Sequence, residues 1–248
     1  MTNWDANEEI GTRCHGKTDY QYAKKISNVL NIKLHHVNFV KKYWNTVFSW
    51  YFRELVEGYK NGLTPNPDIL CNRYIKFGSL FNHAIEKMGV DFIATGHYAG
   101  NSCIKPNTNY RMQNERVADL LLPRDVVKDQ TLFLSQIDQK SLKKTIFPLA
   151  FISKNNVKSM ACDIGLEEIA KKPESMGVCF IGERNFSKFL LQYLDSKPGK
   201  FVDVDTGKIL GCHDGTNFFT VGQRSHLKFN RSTYYIVQRI DKNCNDYY

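Results

Sequence analysis

Two cysteines stand in loops whose composition suits chemistry. Cys179 lies in "PESMGVCFIGERNF", between Gly177 and Gly182, with Glu183 and Arg184 directly after. Glycine tolerates unusual backbone angles and close approach of another group. A nearby arginine favours the thiolate, the nucleophilic form. The same residues also suit a buried cysteine in a turn, because a free thiol packs like a small hydrophobe. Cys71 lies near the end of "TPNPDILCN", Thr64 to Asn72, three residues after Asp68. A carboxylate that close can orient a base or take a proton. Alternatively, Asn66, Pro67 and Asp68 make a turn and cap the next helix.

Two further loops carry dense polar chemistry. In "ATGHYA", Gly96 would let a flat ligand approach the backbone, and His97 can donate a hydrogen bond or serve the fold alone. "KDQ", Lys128 to Gln130, sets a cation, an anion and an amide side by side, which also describes a solvated helix start. Seven cysteines occur, at 14, 71, 103, 162, 179, 212 and 244, and no two form a C-x-x-C pair. That spacing argues against a zinc ribbon, and no protein-bound metal is expected. An odd count with no secretory signal argues against a disulfide framework.

These loops need a scaffold, and the composition can build one. Hydrophobic residues make up 42% of 248, enough for a real core in one large or two smaller domains. No stretch approaches the roughly 18 apolar residues of a membrane span, so no membrane partner is expected. The start, "MTNWDANEEIG", has neither the apolar core of a signal peptide nor the arginines of a transit peptide. A formal net charge of +9 suits a polyanionic partner without proving one.

The hydrophobic pattern alternates helix and strand. "DYQYAKKISNVLNI" reads as a helix through Tyr22, Ala23, Ile26, Val29 and Leu30, with Asp19 as its cap. "KLHHVNF" reads as a strand, and "KYWNTVFSWYFRELVEGYKNG" as a long aromatic helix ending near Gly62. After the proline loop comes a helix over "RYIKFGSLFNHAIEKMG", then a strand and glycine turn in "VDFIATGHYAG". "KPNTNYRMQNE" is a polar excursion. "KDQTLFLSQIDQKSLKKTIFPL" is helical up to Pro148, and "SKNNVKSMACDIGL" is a helix ending near Gly165. Such alternation predicts an α/β fold with a parallel sheet. Beyond about residue 188, apolar and polar residues alternate between "DTG" and "HDG" turns, which predicts a small β-rich module. The expected domains are therefore residues 1–188 and 189–248.

Taken together, the motifs resemble the tRNA 2-thiouridylase family, and its mitochondrial branch most. The matching stretches are "NWD" at 3–5, "TPNPDILCN", "IKF" at 75–77, "ATGHYA", "KDQTLFLSQ", "TIFPL", "ESMGVCFIGERNF" and "TVGQR" at 220–224. They occur in the family's order along nearly the whole chain. The resemblance implies an adenine-nucleotide alpha-hydrolase-like (Rossmann-like) sheet, ATP with Mg2+ as cofactor, and tRNA as substrate. It also implies a persulfide-carrying sulfur-donor protein as partner. The compartment implied is mitochondrial, with cytoplasmic as the alternative.

By resemblance, Cys179 carries the persulfide sulfur and Cys71 helps release it, with a disulfide between them as a product. Such a pair must bring its α-carbons within roughly 7 Å. The implied reaction adenylates the C2 oxygen of the wobble uridine, and the persulfide then attacks C2. Cys71 next attacks the bridging sulfur, or the persulfide is reduced beforehand. Asn66, Pro67 and Asp68 match base-recognising positions, Lys128, Asp129 and Gln130 match tRNA contacts, and Met1 and Gly96 match nucleotide contacts. The family pattern also has an SGGxDS phosphate loop ahead of the position of Met1 and a third, β-barrel domain after the position of Tyr248. The expectation is an N-terminally incomplete sheet and a chain that by itself does not activate uridine. A non-catalytic tRNA-binding form is therefore the second reading. An amidotransferase-like adenylating enzyme is the third, disfavoured by the paired cysteines.

Overall fold

The computed structural model describes residues 1–4, 15–58, 65–103, 117–172, 191, 197–215, 218–225, 227, 235–237, 240–241 and 246–247. Cys179 and the rest of "ESMGVCFIGERNF" lie outside the described residues, as does "KPNTNYRMQNE". Contacts divide the chain into two units, Met1–Val47 with Pro67–Met176, and Phe48–Asn66 with Gly177–Tyr248.

In the first unit, α1 (His15–Val29) half-buries Tyr22, Ala23 and Ile26 and buries Ser27. Val29 and Leu30, expected on that stripe, are exposed instead. The chain turns out of the helix there, with Asn31 at φ 52 and Ile32 N–H reaching back to the Ser27 carbonyl. That is a left-handed helix terminus, and asparagine tolerates it. Asp19 does not cap α1, because the helix already runs from His15; its carboxylate pairs with Lys172 at 2.7 Å.

The expected strand over "KLHHVNF" shrinks to a parallel bridge between Thr2 and Asn38. Thr2 N–H donates to Val37 and Phe39 N–H donates to Thr2. Those two bonds are the ladder it makes among the described residues, too few for an extended strand. Helix α2 (Val40–Tyr43) widens into π turns over Trp44–Phe48, and it buries Tyr43 and Val47 four residues apart. Helix α3 (Ser49–Gly58) belongs to the second unit and buries Tyr51 and Leu55 at the same interval.

Helix α4 (Pro67–Leu70) opens with proline in the first turn, where its missing N–H is not needed. The helix then runs in wide π turns over Cys71–Leu80 and again over His83–Lys87. Gly78 fits that widening, since a Cβ there would stand 2.9 Å from the Arg73 carbonyl oxygen. Strand β1 (Ile93–Ala94) pairs in parallel with β4 (Thr145–Ile146). A β2 (Gly100–Asn101) and β3 (Leu120–Leu121) pair runs antiparallel.

Between β3 and β4 stand a 3-10 turn (Val126–Lys128), α5 (Thr131–Leu134) and α6 (Gln139–Lys143). The helical reading of 128–149 thus fails at Thr145 and Ile146. These β-branched residues form strand β4 because Ile93 and Ala94 offer them a ladder. Ser153 caps α7 (Lys154–Asp163), which ends before Gly165 at φ 80, and α8 (Glu167–Ala170) follows.

The core of this unit joins Phe77, Ala99, Ala118, Leu134, Leu142 and Phe147. A buried polar network threads it. Asn101 Nδ2 donates to the carbonyls of Leu142 (2.6 Å) and Thr145 (3.0 Å), and its Oδ1 accepts from Cys103 N–H (2.9 Å). The Ser141 hydroxyl donates to the Phe77 carbonyl at 2.6 Å. Each bond satisfies a group that burial would otherwise penalise.

The second unit contains a four-stranded sheet in the order β6-β5-β8-β7. Its strands are β5 (Gly199–Val202), β6 (Ile209–His213), β7 (Ile240–Asp241) and β8 (Asp246–Tyr247). β5 and β6 form the expected hairpin across "DTG". The Asp203 carboxylate accepts from the N–H groups of Asp205 and Thr206 and from the Thr206 hydroxyl, and Gly207 takes φ 68.

Candidate active site

Strand β1 delivers Thr95, Gly96 and His97 at its carboxyl end, where open α/β sheets place their ligands. Two other loops converge there. Gln130 brackets Tyr98 with two bonds of 3.0 Å, since its Oε1 accepts Tyr98 N–H and its own N–H donates to the Tyr98 carbonyl. The "KDQ" loop and the glycine turn are thereby locked together. On the other side, Lys76 Nζ approaches His97 Nε2 at 3.5 Å, and Nδ1 of the same ring meets the Thr95 hydroxyl at 3.0 Å. Lys76 belongs to the helix of Cys71, so the proline loop's helix reaches the same turn. A third tie runs from Asn72 Nδ2 to the Phe133 carbonyl, 3.0 Å, linking that helix to α5.

The expected site residues fall as follows. Asp68 sits in the first turn of α4, half-buried. A helix N-terminus favours its anion, yet burial dominates and raises its carboxyl above the ordinary range, against the opposing charge of Lys76. Pro67 is buried and Asn66 half-buried before it. Cys71 is buried, 3% exposed, with Asn3 Nδ2 at 3.9 Å from its sulfur, so "NWD" touches the proline loop's thiol. Trp4 stacks on Trp44 at 5.6 Å beside it in sequence. Asp129 accepts Thr131 N–H at 2.9 Å just ahead of α5, whose N-cap position is Gln130. Lys128 and Gln130 are half-buried.

Gly96 is exposed, and a side chain there would meet nothing within 4 Å, while Met1 is 41% exposed. An open backbone beside a strand end fits the flat base of an adenine nucleotide.

His97 is the most strongly perturbed titratable group here. Burial, then the Lys76 charge, lowers it from 6.5 to about 4. Its imidazole is therefore neutral at physiological pH. Sequence reasoning missed Lys76 and Thr95. The signal for Lys76 was present in "IKF", a half-buried lysine one residue before the buried Phe77. Among the described residues, no three His, Cys, Asp or Glu side chains are grouped to hold a metal. No described helix is long and apolar enough to cross a membrane.

Comparison with known proteins places the chain in a family. The model of the tRNA methyl transferase HUP domain matches residues 1–183, and that of the tRNA methyl transferase PRC-barrel domain matches 187–248. The chain belongs to this HUP-domain family. The family's fold is the adenine-nucleotide alpha-hydrolase-like parallel sheet followed by a small barrel-like β domain, as the motifs implied. The mitochondrial tRNA-specific 2-thiouridylase 1 of Drosophila melanogaster is 44% identical over 239 residues, covering 96% of this chain and 60% of that protein. The tRNA-specific 2-thiouridylase MnmA of Malacoplasma penetrans is 45% identical over 251 residues, with 96% and 64% covered. The human mitochondrial tRNA-specific 2-thiouridylase 1 is 42% identical over 252 residues, with 96% and 59% covered. This HUP-domain chain thus spans about three fifths of the length of these relatives.

Proposed function

We propose that this protein makes 2-thiouridine in tRNA, transferring persulfide sulfur to C2 of the wobble uridine. The observation that carries the reading is the convergence of three loops on one strand end. Gln130 clasps Tyr98, Lys76 meets His97, and Asp68 and Cys71 stand on the helix of Lys76. Relatives named for tRNA 2-thiouridylation support sulfur transfer over the methyl transfer in the family description.

When bound, ATP with Mg2+ supplies activation of the uracil C2 oxygen as a leaving group, and Met1 and Gly96 would hold its adenosine end. Asn66, Pro67 and Asp68 read the extruded base, since chemistry on a base requires it to leave its stack. Lys128, Asp129 and Gln130 hold the tRNA beside it, and the positive net charge adds salt-dependent phosphate binding. Asp68, its carboxyl raised by burial, stands where it can take and return a proton. Cys179 presents the outer persulfide sulfur to C2. The Cys71 thiolate then breaks the S–S bond, forming a disulfide with Cys179 and leaving the outer sulfur on C2. A dithiol reductant opens the disulfide, itself becoming a disulfide, and a persulfide-carrying protein then recharges Cys179. The domain boundary belongs near residue 188. The compartment is mitochondrial, following the names of the fly and human relatives, with cytoplasmic as the alternative.

The burial of Cys71 favours one second reading, a tRNA-binding protein without sulfur transfer. Gene disruption followed by mass spectrometry of tRNA nucleosides separates the two. Loss of 2-thiouridine, restored by the wild-type gene but not by Cys71→Ser or Cys179→Ser, supports thiolation. Restoration by both variants leaves tRNA binding, and 2-thiouridine that persists without the gene refutes the proposal.

A further inference from the structure

Lys76 takes no step in the reaction above, yet it stands where two of the converging loops meet. It lies on the same helix as Asp68 and Cys71, and its Nζ comes within 3.5 Å of His97 Nε2 across the glycine turn. The ring it meets is fixed from three sides. Thr95 Oγ1 holds Nδ1 at 3.0 Å, the Phe77 ring lies with its centroid 5.6 Å away, and Lys76 faces Nε2. An ammonium carries three protons and no lone pair, so it can only donate. Nε2 must therefore be the acceptor, and Nδ1 must carry the hydrogen that Thr95 accepts.

We propose that Lys76 is a positioning residue of this site: its ammonium, 3.5 Å from His97 Nε2, fixes the neutral Nδ1–H form of the imidazole beside the open Gly96 backbone. The groups facing it are Asp68 from α4 and His97 from the turn after β1, with Thr95 and Phe77 on the ring's remaining sides. Its charge acts on both partners in the same sense, lowering Asp68 against burial and lowering His97 along with burial. The result is a neutral ring beside the open Gly96 backbone. The effect of Lys76 on catalysis rests on the thiolation reading; its effect on protonation does not.

The test needs no substrate. In the full-length protein, nitrogen and carbon resonances of the His97 ring are followed against pH for wild type, Lys76→Met and Lys76→Arg. Wild type is expected to show the Nδ1–H tautomer. In Lys76→Met the His97 midpoint should move up from about 4. It should stay below 6.5, because burial, the larger cause, remains. Lys76→Arg should keep the wild-type midpoint. If Lys76→Met does not fold, Lys76→Gln takes its place. A midpoint unmoved by loss of the charge, or an Nε2–H tautomer in wild type, overturns the proposal whatever the activity.

Discussion

Replacing Gln130 with methionine should separate the two loops that this side chain clasps. Methionine keeps the length of the stem and removes the amide oxygen that accepts Tyr98 N–H at 3.0 Å. Tyr98 is 4% exposed, so water cannot readily take over. An unsatisfied buried donor costs about 1–3 kcal/mol, and about 2 kcal/mol is a fair expectation for one neutral bond. The backbone bond from Gln130 N–H to the Tyr98 carbonyl remains, so the turn should loosen rather than unfold. At about 1.4 kcal/mol per factor of ten, hydrogen exchange at Tyr98 N–H should quicken roughly thirtyfold. For a chain of this size the same loss lowers Tm by roughly 4–8 °C. Gln130→Glu keeps an acceptor and should stay close to wild type by both measures. Wild-type exchange at Tyr98 with an unchanged Tm in Gln130→Met would refute the clasp.

Other expectations concern charge, core and thiols. The imidazole of His97 is held neutral below its ordinary 6.5, down to about 4. The folded state therefore binds fewer protons between those values, and stability present above 6.5 is lost as pH falls toward 4, by roughly 3 kcal/mol. Asp68, with its raised carboxyl, works in the opposite direction in both proteins. The excess acid sensitivity of wild type over His97→Gln in urea unfolding thus isolates the ring, and equal sensitivity would sink the assignment. Asn101→Leu strips partners from two carbonyls and one N–H inside the core and should cost about 3 kcal/mol or more; a shift below 1 kcal/mol in urea would contradict that network. With a thiol-reactive probe, exposed Cys212 should label quickly and buried Cys71 slowly. Labelling of Cys71 as fast as Cys212 would show that its burial is transient.

The sequence by itself determined the parts that local chemistry controls. "DTG" between two alternating runs and the helix over "SKNNVKSMACDIGL" carry their backbone instructions in a few residues, and both form as read. The proline loop does not, because the helix expected from Arg73 already starts at Pro67. The alternation of helix and strand patterns likewise indicated a parallel α/β fold, and the family resemblance carried by the motifs narrowed it. Other features depended on partners distant in sequence. Thr145 and Ile146 look like the end of a helix until Ile93 and Ala94 offer them a strand to pair with. Residues 33–39 look like a strand, but a ladder needs a neighbour, and the described pairing reaches only Thr2. Val29 and Leu30 continue a helical stripe in the sequence, yet the turn at Asn31 carries the chain away before they are covered. The site shows the same division. Asp68, Cys71, Gly96 and Gln130 were legible as residues, but their grouping was not. The low imidazole pKa of His97 arises from burial and a lysine 21 positions away in sequence. Desolvation and Coulomb forces act through space, so only the tertiary structure could decide that Lys76 belongs to this site.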